Sequence, residues 1–317
     1  MESVKLNKSA NSLSIHSFGL NTWESCQLGL PHGQPADSYL ITIQENNKTL
    51  YMLIDGGKKG HGKEIILPYL LSNNIHHLDI VILTHPHLDH FGGMIDLLVS
   101  GKLTIGSFIY APIADRFIDR GPDDLNYAQW LQFKKVLNDA KKAIGEIIIP
   151  EADQLGIGQT ITRSLQLTLI ALPDKSLLHE PTNLNDVSIV FRLDFGKFSA
   201  LFTGDCGAAQ AELIMKSEYK KWIDDVVLLK ASHHGGDEAT NRDFIAANNS
   251  KIVLIPCNYT VVDYRPAFIE NLHAYTRNGA IILREDFALR SEVITDGAVV
   301  HCRVTRSDCN EEYVIVL

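Results

Sequence analysis

The sequence predicts an α/β fold: two packed mixed sheets with helices on their outer faces. Three observations predict it. Short, β-branched, apolar runs such as 78–83, 226–230 and 252–256 have the length of strands and the composition of strands covered on both faces. Strand runs give way to helical periods and then return, the order expected of sheets enclosed by helices. Several of the apolar runs end in histidine or aspartate.

The elements follow in order. Residues 1–12 are polar and predict a loose arm, which leaves 13–317 as one domain. Strands are expected at 13–18, 39–43 and 50–54. The stretch 21–35, rich in glycine, proline and polar residues, reads as a loop, and Asn46-Asn47-Lys48 is a hairpin turn signal. A helix is expected over 60–72. Pro68 predicts a break or a new start there, because proline lacks the N–H a helix interior needs. The central strand, 78–83, leads into a histidine-rich loop and a helical pattern through Met94, Ile95, Leu97 and Leu98.

A strand at 105–110 precedes a long helical period over 123–144, carried by Leu125, Trp130, Phe133, Leu137, Ala140 and Ile144. Its lysines, Lys134, Lys135, Lys141 and Lys142, read as a solvated face. Strands at 147–149 and 165–172 flank a turn at 156–158. Strands 187–193 and 199–202 form a hairpin through Asp194-Phe195-Gly196-Lys197. A helix at 208–217 and strands at 226–230, 252–256 and 280–283 follow, with a helix starting near Pro266 between the last two. The tail, 291–294, 298–304 and 313–316, is strand-rich.

Composition excludes several classes. With 317 residues, 45% of them hydrophobic, the chain can bury a large core. No apolar stretch approaches the ~20 residues a bilayer demands, and the start has no apolar signal region. Five cysteines (Cys26, Cys206, Cys257, Cys302, Cys309) are odd in number and far apart, which fits a reducing cytoplasm, the expected location. A net charge of −9 argues against a protein that coats nucleic acid non-specifically. It leaves a nucleic-acid substrate open, because metal ions can supply positive charge locally.

The chemistry concentrates in Thr84-His85-Pro86-His87-Leu88-Asp89-His90-Phe91-Gly92-Gly93, directly after the central strand. In an extended chain His85 and His87 point the same way. Asp89 and His90, from the turn that follows, can reach a second, adjacent ion. Neutral imidazoles with a carboxylate suit Zn, Mn or Fe. Three further strand ends carry ligand-type residues: Asp55-Gly56-Gly57, Thr203-Gly204-Asp205 and Ser232-His233-His234-Gly235-Gly236.

This set of motifs resembles the metallo-β-lactamase fold over nearly the whole chain. The match runs from Asp37-Ser38 through the four motifs above and Asn185-Asp186-Val187-Ser188 to Asn258-Tyr259 and Pro266. Order and spacing look most like the hydrolase domain of competence-type DNA-uptake proteins and their soluble relatives, phosphorylcholine esterases among them. The resemblance implies a site for two divalent ions, Zn or Mn. His85 and His87 would hold the first ion, Asp89 and His90 the second, and Asp205 would bridge them. One of His233 and His234 would complete the second ion, with His234 preferred, and Asp55 would orient a ligand histidine. His87 in place of a glutamate argues against the diiron flavoprotein branch. His90 after Asp89 argues against true β-lactamases and for binuclear ester and phosphodiester hydrolases.

The chain also departs from its relatives. Asn185 stands where many have a further histidine ligand, with His179 the other candidate for that role. Gly236 replaces a serine, and Arg265 replaces a histidine and is a candidate phosphate clamp. The implied activity is hydrolysis by metal-activated water, with Asp89 orienting the water or taking up its proton and His233, where it is not a ligand, donating to the developing oxyanion or to the leaving group. The expected substrates are phosphodiesters, including single-stranded nucleic acid or a nucleotide, supported by Arg265 and the lysines of Lys58-Lys59-Gly60-His61-Gly62-Lys63. An ester, lactone or thioester hydrolase is the alternative. A metal-bound subunit that serves a protein partner in a larger assembly is the alternative from another class.

Overall fold

A computed structural model describes residues 11–20, 35–120, 124–179, 183–236, 242–257, 266–286, 290–306 and 309–317. The first half of the chain runs β1 (Ser12–Ser17), β2 (Tyr39–Glu45), β3 (Lys48–Ile54), a widened helical turn (Gly62–Ile66) leading into α1 (Leu67–Ser72), and β4 (His77–Leu83). It continues through α2 (Leu88–Val99), β5 (Thr104–Tyr110), α3 (Leu125–Asp139) and β6 (Ile144–Ile148). The second half runs β7 (Gly158–Thr160), β8 (Leu165–Ala171), β9 (Val190–Phe195), β10 (Phe198–Phe202), α4 (Ala208–Lys216), β11 (Leu228–Lys230) and α5 (Arg242–Asn248). β12 (Ile252–Ile255), α6 (Pro266–Arg277) and β13 (Ile281–Arg284) follow. β14 (Arg290–Thr295), β15 (Val299–Thr305) and β16 (Asn310–Val316) then return to the first sheet.

The nine-stranded sheet has the order β16-β15-β14-β1-β2-β3-β4-β5-β6, and the seven-stranded sheet the order β13-β12-β11-β10-β9-β8-β7. Their facing surfaces share one apolar core, where Ile15, Ile41 and Met52 of the first sheet meet Leu167, Phe191 and Phe202 of the second. A second core lies under α2 and α3, built on Phe91, Met94, Trp130 and Phe133. A third lies under α4, α5 and α6, built on Ala211, Ile214, Phe244 and Phe268. The result is the predicted helix–sheet–sheet–helix stack.

Within each sheet a parallel block fixes one end as the site. β3, β4, β5 and β6 are parallel to one another. So are β10, β11, β12 and β13. In open α/β sheets the crevice at the carboxyl ends of such strands is where ligands sit. A backbone cross-link joins the ends of the two sheets: the Thr84 carbonyl, after β4, accepts the N–H of Ile189, before β9, at 2.8 Å. The Ser188 hydroxyl, beside it, accepts the N–H of Asp205 at 3.1 Å.

Several local expectations are met and several are corrected. Asn46 and Asn47 both adopt left-handed φ, 50° and 63°, as a two-residue hairpin turn requires. The expected break at Pro68 is a new start without a break. The wide turn 62–66 keeps helical backbone into α1, and Pro68 falls in its first turn, where no donor is needed. The helix expected over 123–144 stops at Asp139, and Ile144 instead opens β6, paired with Ile105. An apolar period cannot tell a helical isoleucine from the first residue of a β-branched run. Val187, expected in a strand, lies in a tight turn (Leu184–Val187), residues 158–160 form a short strand, and α5 was not anticipated. Residues 1–10 of the expected arm, and most of the expected loop at 21–35, lie outside the described residues. Among the described residues no helix is long and apolar enough to cross a membrane.

The loop after β3 and the start of α2 are locked backbone to backbone. Gly56 N–H donates to the His90 carbonyl at 2.7 Å, and Gly93 N–H donates to the Gly57 carbonyl at 2.8 Å. This approach leaves no room for a side chain, since a Cβ on Gly93 would overlap the Gly56 carbonyl oxygen. Gly93→Ala is therefore expected to destabilise the fold by about 2 kcal/mol or more, read as a lowered urea midpoint at unchanged slope.

Candidate metal centre

The site is assembled at the strand tips. Asp55 ends β3 in a left-handed conformation (φ 55°) and turns its carboxylate across to the tip of β4. There it accepts the Thr84 N–H and the Thr84 hydroxyl, each at 2.8 Å. Its Oδ2 is also 2.8 Å from His90 Nδ1. That contact fixes the ring so that His90 Nε2 faces the cluster, the usual way a carboxylate orients a ligand histidine. His87 caps the start of α2 in extended backbone, and Asp89 lies in the first helical turn, where the helix dipole favours a negative charge.

Six side chains converge on one point. Asp205 Oδ2 lies 3.2 Å from His90 Nε2, 3.2 Å from His234 Nε2 and 3.9 Å from His85 Nε2. His234 Nε2 is also 3.4 Å from Asp89 Oδ2, and His85 Nε2 is 3.0 Å from His87 Nδ1. Asp89, His90, Asp205 and His234 offer ligand atoms within 4.8 Å of one another. Asp205 reaches this point because Gly204 takes φ 52° against Ser188 and Thr84, a conformation and a closeness that glycine alone accepts easily.

The donor chemistry fits divalent cations. His90 Nε2, His234 Nε2 and Asn185 Oδ1 are buried and lack hydrogen-bond geometry to any neighbour. Burial pushes His85 and His87 below the usual histidine range, which favours the neutral rings that a cation needs. Burial works against charge on Asp205 and Asp89. His234, Lys230 and His90 overcome it at Asp205, and His234 and His90 at Asp89, so both stay ionised.

The remaining sequence candidates lie at varied distances from this point. Asn185 is buried in the turn Leu184–Val187, one hydroxyl away from the Asp205 backbone through Ser188. His233 is half-buried beside His234, their ring centroids 5.9 Å apart. His179 is exposed, unlike the cluster. Arg265 lies outside the described residues, as do Asn258 and Tyr259. The lysine loop splits: Lys58 and His61 are buried, while Lys59 and Lys63 face solvent.

Two participants had no site role in the sequence reading: Lys230, and Asp37, which appeared there only as the start of the family match. Asp37, 1% exposed, stands just before β2, and its Oδ1 is 3.2 Å from His234 Nδ1. Lys230, also 1% exposed, ends β11 between Asp37 and Asp205. The available signal for Lys230 was a lysine closing an otherwise apolar strand.

The family model described as the metallo-beta-lactamase superfamily matches residues 33–255. The chain belongs to the metallo-beta-lactamase superfamily. Over 248 residues it is 27% identical to ComE operon protein 3 of Bacillus subtilis (strain 168), covering 76% of this chain and 28% of that protein. The chain therefore spans little more than a quarter of that relative's length. Among solved structures it is similar to the metallo-beta-lactamase fold protein YhfI from Bacillus subtilis, with TM-score 0.51 and 16% identity over 86% of this chain and 96% of that one. A metallo hydrolase from the archaeon Ignicoccus hospitalis KIN4/I aligns at TM-score 0.45 and 13% identity, covering 86% and 94%. Family and donor set together put the chain among metal-dependent hydrolases of this superfamily.

Two outcomes follow from the geometry. Asp55→Ala, which frees the His90 ring, is expected to weaken divalent-metal affinity about 10–100-fold, read by chelator competition. His61 gives a pH signature. Burial, then the Lys58 charge, lowers its imidazole to about 4, with Asp89 opposing. Above pH 6.5 the ring is neutral whether the chain is folded or unfolded. As pH falls from 6.5 toward 4 the unfolded chain takes up a proton that the folded chain does not. Stability is expected to drop by about 2 kcal/mol more between pH 7 and pH 5 than in His61→Gln, measured by urea unfolding of both proteins.

Proposed function

We propose that this metal-dependent hydrolase cleaves phosphodiesters and uses two divalent ions, Zn or Mn. What carries the reading is the convergence of three histidine nitrogens on Asp205 Oδ2, with His87 and Asp89 one atom further out. His85 and His87 would hold one ion. Asp89, His90 and His234 would hold the other, and Asp205 Oδ2 would serve both. Bound there, such ions supply Lewis acidity and a water made acidic enough to attack at neutral pH.

The chain's own groups do the rest. Asp89, ionised and the most exposed of the cluster carboxylates at 19%, orients the attacking water and takes up its proton. His233, at the half-buried rim, donates a proton to the leaving oxygen. Lys58, buried in the loop after β3, brings a positive charge near enough to interact with Asp89 and favours an anionic substrate group. The net charge of −9 directs the choice toward single strands, oligonucleotides or nucleotide-like molecules over long duplexes. The resemblance to the hydrolase domain of competence-type DNA-uptake proteins supports the same class.

Asp205→Asn is expected to lower turnover more than 100-fold, beyond the loss typical of an outer hydrogen-bonding partner. The fold should persist, because Lys230 keeps Asp37 as its partner. Far-UV dichroism and melting check the fold, and a wild-type rate in the variant would end the mechanism. Substrate class is read from bis-p-nitrophenyl phosphate, a lactone and labelled single-stranded DNA, each with Zn and with Mn. Cleavage of the diesters is expected, and cleavage of the lactone alone would overturn the phosphodiesterase reading in favour of the ester and lactone alternative.

A further inference from the structure

Lys230 is the most deeply buried lysine among the described residues, and its surroundings are specific. Its ammonium nitrogen lies 2.5 Å from Asp37 Oδ2, 3.0 Å from Asp205 Oδ1 and 2.6 Å from the Gly204 carbonyl oxygen. The ammonium donates to the Gly204 carbonyl and to Asp205 Oδ1, and Asp37 Oδ2 faces it as a close ion pair. Burial alone would neutralise it, but Asp37 and Asp205 keep it charged.

Stability does not account for this arrangement, since well-packed apolar residues replace buried ion pairs at little or no loss. The division of the Asp205 carboxylate does. Oδ1 goes to Lys230, while Oδ2 alone faces His85, His90 and His234. A carboxylate free at both oxygens can close on a single ion as a chelate. One with Oδ1 already engaged has a single oxygen to offer, and two ions must share it. Asp37 completes the device from the other side: its Oδ2 holds Lys230, and its Oδ1 lies 3.2 Å from His234 Nδ1.

We propose that Lys230, anchored by Asp37, is a positioning residue that reserves Oδ1 of Asp205 and so forces Oδ2 to bridge, which makes the second ion of the pair bind tightly. This rests on the two-ion reading above, and its test reads metal uptake alone.

The test titrates zinc into the metal-stripped full chain, with a competing chelator to resolve each affinity. Lys230→Met alone would strand the buried charge of Asp37, so the variant is D37N/K230M, which preserves the charge count and leaves an oxygen facing His234 Nδ1. Melting without zinc confirms that it folds. Wild type is expected to take up two ions. D37N/K230M should hold the first within a few-fold and the second about 10–100-fold more weakly. In D37N/K230Q the glutamine amide can still donate to Asp205, so the second affinity should recover most of that loss. A folded D37N/K230M with two wild-type affinities, or with both ions weakened alike, overturns the clamp. So does a D37N/K230Q that loses the second ion, a result readable even where the methionine variant does not fold. A wild type that takes up one ion overturns the two-ion reading and the clamp together.

Discussion

Negative charge in a confined space is the constraint on which this molecule is built. Asp37, Asp55 and Asp205 are each 1% exposed, and Asp89 stands beside them. Carboxylates cannot be buried so close together unless cations answer them. Within the described residues the buried ammonium of Lys230 answers one. These same carboxylates favour the protonated form of His90 and His234 against the effect of burial, and a divalent ion held by those rings would take the place of that proton. Divalent ions are the natural remainder. Hydrogen bonds at the strand tips, from Thr84 to Asp55 and from Ser188 and Lys230 to Asp205, hold this charge arrangement in place.

Neither sheet could do this alone. The nine-stranded sheet supplies Asp37, Asp55 and the residues from His85 to His90, and the seven-stranded sheet supplies Asp205, Lys230 and His234. The apolar core between the sheets aligns the two halves, together with polar links between them such as Thr84 to Ile189, Glu45 to Ser164 and Asp37 to Lys230. Packing in the core therefore sets ligand distances, because a shift of one sheet against the other moves Asp205 away from its histidines.

Legibility in the sequence followed range. The segment from His85 to Gly93 was readable because its donors are within six residues of one another at the end of an unmistakable strand. Asp205 and His234 were readable because each closes its own apolar run with glycine beside it. Lys230 was not, and Asp37 was legible only as a family motif and not as part of the site, because each looks ordinary alone. A lysine closing a strand belongs at the surface by default, and an aspartate 193 positions earlier, with Asp205 and the Gly204 carbonyl, explains why this one is buried. The ends of α3 and β6 were blurred for a different reason: Ile144 satisfies both a helical and an extended period, and pairing with Ile105 decides between them. His179 met the chemical requirement for a ligand but was left outside the buried cluster, since residue type carries no information about reach.

The tip of β11 has a further property. His233, His234 and Gly235 take left-handed φ values in succession, 43°, 56° and 75°. Few side chains tolerate such a bend: glycine easily, and asparagine, aspartate and histidine better than the rest. If position 234 holds a metal ion as proposed, it is filtered twice, by coordination chemistry and by backbone handedness. Cysteine and glutamate pass the first filter but fare poorly at the second. Drift at this corner of the molecule is channelled toward histidine or aspartate, whatever substrate its descendants come to cleave.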